Sequence, residues 1–426
     1  MVRVSIFGLG YVGVVHAVGL AYLGHHVIGY DVDPSRSTAL REGRLPLYEP
    51  GLGDLLRGAR ERIEISGDPL EAVVRSDLTM VSVGTPSAPN GSADLSYVRK
   101  AVETIGEGIK AKGSKHLIVM KSTVPPGTSQ AMRRLLEDMG LRYGVDFDLA
   151  SNPEFLREGS AVEDFLKPDR IVIGVWSRWA EDMLLELYRG IDAPKIVTDP
   201  TTAEFVKYVS NVFLAIKISF SNEVGDLCKA IGVDSYEVFR IVGMDRRIGQ
   251  SFFRSGLGFG GSCLPKDLRA WIRFAETLGH RARIAEAAYE VNRERPRKAL
   301  ELLKKHLGSL RGRRIGVLGL SFKPDTDDIR ESRGIEVAKL LIEEGAEVYV
   351  SDPAAIHNAK KILGERVTYI EDPQKLLESV EAVVIATEWP QYQKLDYRGK
   401  IVVDGRRIEK AQEKQKYGGT LTSSLP

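Results

Sequence analysis

Apolar residues follow two rhythms along this chain. Short runs rich in Val and Ile, namely Val2 to Phe7, His26 to Tyr30, Leu78 to Val83, Leu117 to Met120 and Phe147 to Ala150, alternate with longer amphipathic stretches. That alternation predicts parallel strands joined by helices. The texture changes at Pro200. Thr201 and Glu204 stand at capping-box spacing, and apolar residues then continue from Phe205 to Leu227 with no glycine or proline before Gly225, which predicts one long helix. Phe205, Val209, Val212, Phe213, Ile216 and Phe220 spread round most of its circumference. Such a helix is expected to lie between domains or between subunits, and a homodimer or higher homo-oligomer is expected with it.

The first rhythm returns at Arg313-Arg314-Ile315-Gly316-Val317-Leu318-Gly319 and echoes the start of the chain in three places. Val4 to Gly10 resembles Ile315 to Ser321, His26 to Pro34 with Asp31 resembles Glu347 to Pro353 with Asp352, and Asp77 to Pro86 resembles Val380 to Pro390. The expected fold class is α/β: two Rossmann-like parallel-sheet domains joined by a central helical region with the long helix. Residues 1–199 are expected to form the first domain and 200–298 the helical region, with dimer contacts and a catalytic loop. Residues 299–412 form the second domain, and 413–426 a flexible tail, because Gln412 to Pro426 is polar without apolar periodicity. In the second copy Ser321 stands for Gly10 and Pro324 for Gly13, so the close backbone approach that a pyrophosphate needs is lost. The two halves are expected to bind different nucleotides.

A length of 426 residues is enough for two or three packed units. The 60 basic and 58 acidic side chains are interspersed, so no basic stripe points to nucleic acid or a membrane surface. With 43% hydrophobic and 28% charged residues, the balance is that of a soluble globular chain. No stretch approaches the ~18 to 20 apolar residues of a membrane span. Met1 leads directly into Val2 to Phe7 without the basic start of a signal peptide. Cys228 and Cys263 lie outside any CxxC or Cys/His spacing, which argues against a disulfide framework or a metal site and fits a cytoplasmic protein.

Five segments carry candidate chemistry. Gly8-Leu9-Gly10-Tyr11-Val12-Gly13 follows a strand and opens a helix, with Asp31 at the end of the next strand. Gly8 allows a tight turn, Gly10 lets a pyrophosphate reach the helix N-terminus, and Gly13 lets helix pack on strand. Asp31 accepts from ribose hydroxyls and repels a 2′-phosphate, which favours NAD, while Arg36 flanks the adenine side. Gly258-Phe259-Gly260-Gly261-Ser262-Cys263-Leu264-Pro265-Lys266-Asp267 is a glycine-rich loop feeding a helix. The helix N-terminus and Lys266 both favour a thiolate at Cys263 and make it a nucleophile, whereas Cys228 reads as a small buried side chain. Lys207 and Asn211, four apart on the long helix, project from one face among apolar neighbours, placed to hold a developing negative charge or orient an oxygen, or to pair with nearby carboxylates. Glu154 and Glu158 follow a strand end, where α/β sheets place ligands, and suit proton transfer. Thr123, in Lys121-Ser122-Thr123-Val124-Pro125-Pro126-Gly127, sits at another strand end and is suited to holding a water or touching a nicotinamide.

Together these segments resemble the UDP-glucose/GDP-mannose dehydrogenase family from Val2 to about Arg407, with further matches at Tyr48-Glu49-Pro50-Gly51, Asn152 to Gly159, Phe322-Lys323, Asp325-Thr326 and Arg330-Glu331-Ser332. The resemblance implies NAD bound by the first domain, through Gly8, Gly10, Tyr11, Val12, Gly13, Asp31, Arg36, Thr85, Thr123, Glu158, Lys266 and Arg330. It implies a nucleotide-sugar, UDP-glucose, held by the second domain, residues 299–412, and by Glu154, Phe155, Leu156, Arg157, Glu158, Lys207, Asn211, Phe252, Phe253, Arg254, Ser255, Gly256, Gly260 and Lys323. Arg247 matches a position that reaches a neighbouring subunit's substrate, and Arg407 is a looser match. Cys263 is implied as nucleophile, Lys207 and Asn211 as oxyanion holders, Asp267 and Thr123 as organisers of water, and Glu154 as the base for hydrolysis. The implied reaction oxidises a C6 alcohol to an aldehyde, captures it on Cys263, oxidises the adduct to a thioester and hydrolyses that to a uronate, consuming two NAD.

Two departures bear on the sugar: Arg157 occupies a variable position, and Arg254 stands where the family often has lysine. A GDP-linked mannose or another nucleotide-sugar is the alternative substrate. A two-electron hydroxyacid dehydrogenase would have no use for Cys263, and a nucleotide-binding regulator without turnover would have no use for the set Cys263, Lys207, Asn211 and Asp267.

Overall fold

The structure, a computed structural model, describes residues 1–408 and 423–424. The chain divides into two compact units, Met1–Ser210 and Asn211–Pro426.

The first unit is built on an eight-stranded sheet of β1 (Arg3–Phe7), β2 (His26–Tyr30), β3 (Ile63–Ile65), β4 (Leu78–Val81), β5 (His116–Met120), β6 (Phe147–Ser151), β7 (Ile171–Gly174) and β8 (Lys195–Thr198), in the order β3-β2-β1-β4-β5-β6-β7-β8. Pairing is parallel except between β6 and β7, which meet antiparallel at Ser151 and Gly174. β4, β5 and β6 are buried along their whole length, as strands covered by helices on both faces must be. Alternation along β1 sends Val4 and Ile6 into one apolar core and Phe7 into the other. The strand order reverses between β1 and β4, so the loops leaving β1, β4, β5 and β6 emerge at the edge where α/β sheets bind ligands.

The second unit carries a parallel sheet of β9 (Arg314–Leu318), β10 (Glu347–Ser351), β11 (Thr368–Tyr369), β12 (Ala382–Ile385), β13 (Ile401–Asp404) and β14 (Ser423–Ser424), in the order β11-β10-β9-β12-β13-β14. The three echoes in the sequence fall on β1 and β9, β2 and β10, and β4 and β12, which hold the same places in the two sheets. Within the expected flexible tail, Ser423–Ser424 pairs parallel with β13; the rest of it lies outside the described residues.

Six helices position the chemistry: α1 (Tyr11–Tyr22), α2 (Thr128–Asp138), α3 (Pro200–Ile231), α4 (Leu264–Thr277), α5 (Arg283–Leu307) and α6 (Arg333–Glu343). The 32-residue α3 is the long helix, and among the described residues no helix is long and apolar enough to cross a membrane. Its start differs from the expected capping box. Asp199, not Thr201, takes the cap, accepting from the Thr202 backbone N–H at 3.0 Å and from its hydroxyl. Glu204 is thereby released to serve another helix. The apolar residues of α3 do not share one environment. Val212 is buried, but Phe205, Val209, Phe213, Phe220 and Leu227 are exposed and fall on one side of the helix at spacings of four and seven residues.

The glycine logic holds in the first unit and shifts in the second. Gly8 adopts φ +96°, and a Cβ on Gly13 would lie 1.8 Å from the Gly8 carbonyl oxygen. In the second unit the counterpart of Gly13 is Gly334, not Pro324: a Cβ there would lie 2.0 Å from the oxygen of Gly319, whose φ is +101°. The paired glycines stand 15 positions apart here and five apart in the first unit, so the loop between β9 and α6, which includes Pro324, is ten residues longer; the tight strand-to-helix packing survives while the short glycine turn does not.

Candidate active site

At the β1–α1 turn, no side chain caps α1, whose N-cap is Gly10. A Cβ at Gly10 would meet only Arg36 Nη1, at 3.7 Å, so the backbone there is open to a ligand's close approach. Asp31 accepts from the Leu9 N–H at 2.6 Å and the Asp33 N–H at 2.7 Å, and Arg36 lies 3.4 Å from it. The residues fit an NAD: an open helix N-terminus for the pyrophosphate and a carboxylate for the ribose. Asp352, the matching acid of the second unit, is differently employed. Its Oδ2 accepts from Leu320 N, Ser321 N, Ser321 Oγ and Trp389 Nε1, and its Oδ1 from Ala354 N and Ala355 N. With both oxygens taken up inside the protein, that position has no acceptor left for a ribose.

Around the first unit's loops the polar groups interlock. Tyr11 donates to buried Glu49, which also accepts from Gly159 N and Ala161 N at 2.7 Å each. Burial and the Glu49 carboxylate push the Tyr11 hydroxyl up, and Glu158 adds to this. Val12 offers its carbonyl to buried His16. Thr85 donates to the Thr123 carbonyl at 2.9 Å, and Ser122 to Val83 at 2.6 Å, which couples the β4 and β5 loops. Glu154 is buried. Its Oε1 receives Lys207 Nζ at 3.1 Å and its Oε2 receives the Leu156 N–H at 2.6 Å. The Lys207 ammonium also sits 5.4 Å from the Phe155 ring centre, and the Arg157 guanidinium forks the Asp164 carboxylate.

Beneath Glu154 lies a residue with no role in the sequence reading. Lys121 is buried, donating to Asn152 Oδ1 at 2.8 Å and lying 3.3 Å from the Tyr188 hydroxyl. Desolvation pulls it down to about 7, helped by Lys207 and opposed by Glu154. One turn before Lys207, Glu204 receives Gly127 N, Ser129 N and Ser129 Oγ at the start of α2. Burial raises this carboxyl to about 7. Glu204 thus holds the end of the Thr123–Gly127 loop.

In the second unit Cys263 is the N-cap of α4 and is exposed. Its carbonyl accepts from the Asp267 N–H at 2.9 Å. Asp267 is buried, with Oδ2 receiving Asn211 Nδ2 at 2.6 Å and Oδ1 receiving Lys266. The Lys266 ammonium pairs with this Asp267 carboxylate at the first turn of α4. The loop before Cys263 is fastened to the segment after β9. Gly261 N donates to the Arg330 carbonyl at 2.9 Å, Phe322 packs under Gly261, and a Cβ at Gly260 would stand 2.2 Å from Glu331 O. Lys323 lies 5.8 Å from the Phe322 ring centre.

Of the expected substrate segment, Ser255 is buried with its hydroxyl 2.9 Å from that of Ser235, and Phe253 stacks on Phe239 at 4.9 Å. Arg254 is exposed, 3.9 Å from Glu388. Arg330 forks Asp328, Arg407 forks Asp234, and Arg247 forks Asp245 while remaining 89% exposed. Among the described residues four that are not glycine have left-handed backbones, Phe252, Asp325, Glu331 and Arg407. All lie within or beside the expected ligand segments, where strained backbone tends to collect. Among the described residues no group of three or more His, Cys, Asp or Glu is placed to hold a metal ion.

Comparison with known proteins covers the chain in three consecutive matches. The UDP-glucose/GDP-mannose dehydrogenase family matches as NAD binding domain over residues 2–192, central domain over 201–294 and UDP binding domain over 316–411. The UDP-glucose 6-dehydrogenase AglM of Haloferax volcanii is 41% identical over 96% of this chain and 98% of its own length. A UDP-glucose dehydrogenase from Pyrobaculum islandicum is 57% identical, with TM-score 0.96 over 100% of this chain and 98% of that one. The GDP-mannose dehydrogenase of Pseudomonas aeruginosa is 38% identical, with TM-score 0.57 over 95% of this chain and 96% of that one.

The buried Lys121 has a consequence for stability. Between about pH 7 and 10.5 the unfolded chain keeps a proton on this side chain that the folded chain releases, so its contribution to stability rises with pH through that window. Below pH 7 the folded state carries the cost of a buried ammonium. In denaturant titrations, the stability of wild type minus that of Lys121→Met is expected to grow from pH 7 to 10 and to be flat below 7. A difference independent of pH contradicts the assignment.

Proposed function

The chain belongs to the UDP-glucose/GDP-mannose dehydrogenase family, and on that premise we propose that it oxidises the C6 alcohol of UDP-glucose to the carboxylate of UDP-glucuronate through covalent intermediates on Cys263. NAD, held by Gly8, Gly10, Gly13 and Asp31, supplies when bound the hydride acceptor for both oxidations, two per sugar. The observation that carries the reading is the exposed thiol at the N-terminus of a 14-residue helix, with buried Asp267 one turn on.

The chain's own groups then have the following roles. Loss of a hydride and a proton turns the alcohol into an aldehyde. Cys263 Sγ adds to the aldehyde carbon, and Lys207 and Asn211 stabilise the resulting oxyanion. Loss of a second hydride from the thiohemiacetal carbon leaves a thioester. Glu154 takes a proton from the water that attacks it, with Asp267 and Thr123 orienting that water, and the C–S bond breaks to return the thiol. Phe252 to Gly256, Gly260 and Lys323 hold the nucleotide-sugar, while Thr85, Glu158, Lys266 and Arg330 complete the cofactor contacts. The substrate preference is supported by the names and closeness of the relatives.

The working form is a homodimer, with Arg247 serving the neighbouring subunit. The bare apolar side of α3 supports this. Two free cysteines and no disulfide among the described residues support a cytoplasmic setting.

Wild type is expected to release two NADH per UDP-glucose consumed. Cys263→Ala should make no uronate, with a loss of kcat on the order of 10³-fold or more, while still binding NAD by fluorescence titration. A ratio of one, or steady uronate formation by the variant, overturns the covalent route. In sedimentation, Phe213→Asp should shift the protein from dimer to monomer; an unshifted dimer removes the assignment of that face.

A further inference from the structure

The peptide groups that lead into the cysteine loop are held by buried side chains that the catalytic scheme does not use. The Gly256 N–H donates to Asn222 Oδ1 at 2.7 Å, and its carbonyl accepts from Arg295 Nε at 2.8 Å. Asn292 grips Phe259 at both ends, receiving its N–H on Oδ1 at 2.8 Å and donating Nδ2 to its carbonyl at 3.1 Å. Asn222 and Arg295 are fully buried and Asn292 nearly so. Arg295 uses Nε and Nη1 together, the second on Asp226 at 2.7 Å, a two-point grip that a lysine cannot reproduce. The fit leaves no room for drift: a Cβ at Gly256 would lie 2.2 Å from Gly405 O, and one at Gly258 2.3 Å from Asn292 Oδ1. Burying an arginine and two asparagines costs stability, the more so because Asn222 Nδ2 and Arg295 Nη2 have no hydrogen-bond partner among the described residues, and the four backbone contacts that they make all go to this one stretch. That backbone lies directly between Phe252–Gly256 and Gly260–Cys263.

We propose that Asn222, Asn292 and Arg295 are positioning residues for the nucleotide-sugar: by clamping the peptide groups from Gly256 to Phe259 they hold the substrate segment in its receiving shape. The inference rests on the reading of Phe252 to Gly256 as the nucleotide-sugar segment.

The test uses the full-length protein with Arg295→Lys and, separately, Asn292→Ser. KM for UDP-glucose and the calorimetric Kd for UDP are expected to rise about tenfold or more, while KM for NAD stays within about twofold. A folded variant with unchanged KM for UDP-glucose and unchanged Kd for UDP overturns the proposal. So does an equal rise in both KM values, which would mark general loosening. Should Arg295→Lys not fold, the Asn292→Ser result decides by the same outcomes. Absence of uronate from wild type would instead sink the functional reading; wild-type turnover with unaffected variants sinks only the positioning role.

Discussion

One helix is built inside out, and in each unit loops that carry candidate chemistry are fastened to the part of it that belongs to that unit. Along α3 the polar residues Glu204, Lys207, Asn211 and Asn222 are buried and Asp226 is half-buried, while Phe205, Val209, Phe213, Phe220 and Leu227 are exposed. At ~100° per residue the polar set falls on one side and the apolar set on the other. These polar groups fasten four segments: Glu204 the start of α2, Lys207 the Glu154 loop, Asn211 the side chain of Asp267, and Asn222 the Gly256 peptide, with Asp226 holding the guanidinium that grips that same peptide. A buried donor or acceptor without a partner costs about 1–3 kcal/mol, so these loops and the helix specify one another. The apolar side is largely exposed in a single chain, which is why a second copy enters the functional reading.

The two sheets show how one framework is put to two uses. Both have the same strand order about the first strand and the same glycine-to-carbonyl approach, at Gly13 and at Gly334. In the first, the turn is short, the helix start is uncapped, and Asp31 accepts three internal hydrogen bonds where Asp352 accepts six. In the second, an inserted loop, Ser321 and Trp389 consume the carboxylate of Asp352, and Ser332 caps α6. A dinucleotide has a place in one and none at the matching position in the other.

Much of this was legible in the sequence because it depends on local rules. Alternation and β-branched runs mark β1, β2, β4, β5 and β6, and the internal echo aligns β1, β2 and β4 with their counterparts. The three-residue β3 and the edge strand β8 are too short to stand out, and Ile196 and Val197 on β8 are exposed. Residues with reactive chemistry, such as Cys263 and Asp31, announce themselves by position after a glycine turn or a strand. Those that act by holding backbone do not. Lys121, Asn292 and Arg295 look like ordinary helix or loop polar residues until burial shows that they have left water. The counterpart of Gly13 was misplaced for a related reason: an insertion shifts the residue in sequence while the carbonyl it must approach stays in place in space. The capping misreading at Thr201 reflects Asp199, a stronger cap one residue before Pro200.

The central claim is that the sugar passes through an acyl bond to one particular sulfur. It is tested most directly by intact-protein mass spectrometry of Glu154→Gln after incubation with UDP-glucose and NAD, followed by peptide mapping. The account predicts an added mass of one UDP-glucuronyl group, located on Cys263 and discharged by hydroxylamine. NADH release with no adduct on that peptide, or an adduct on Cys228, would contradict it.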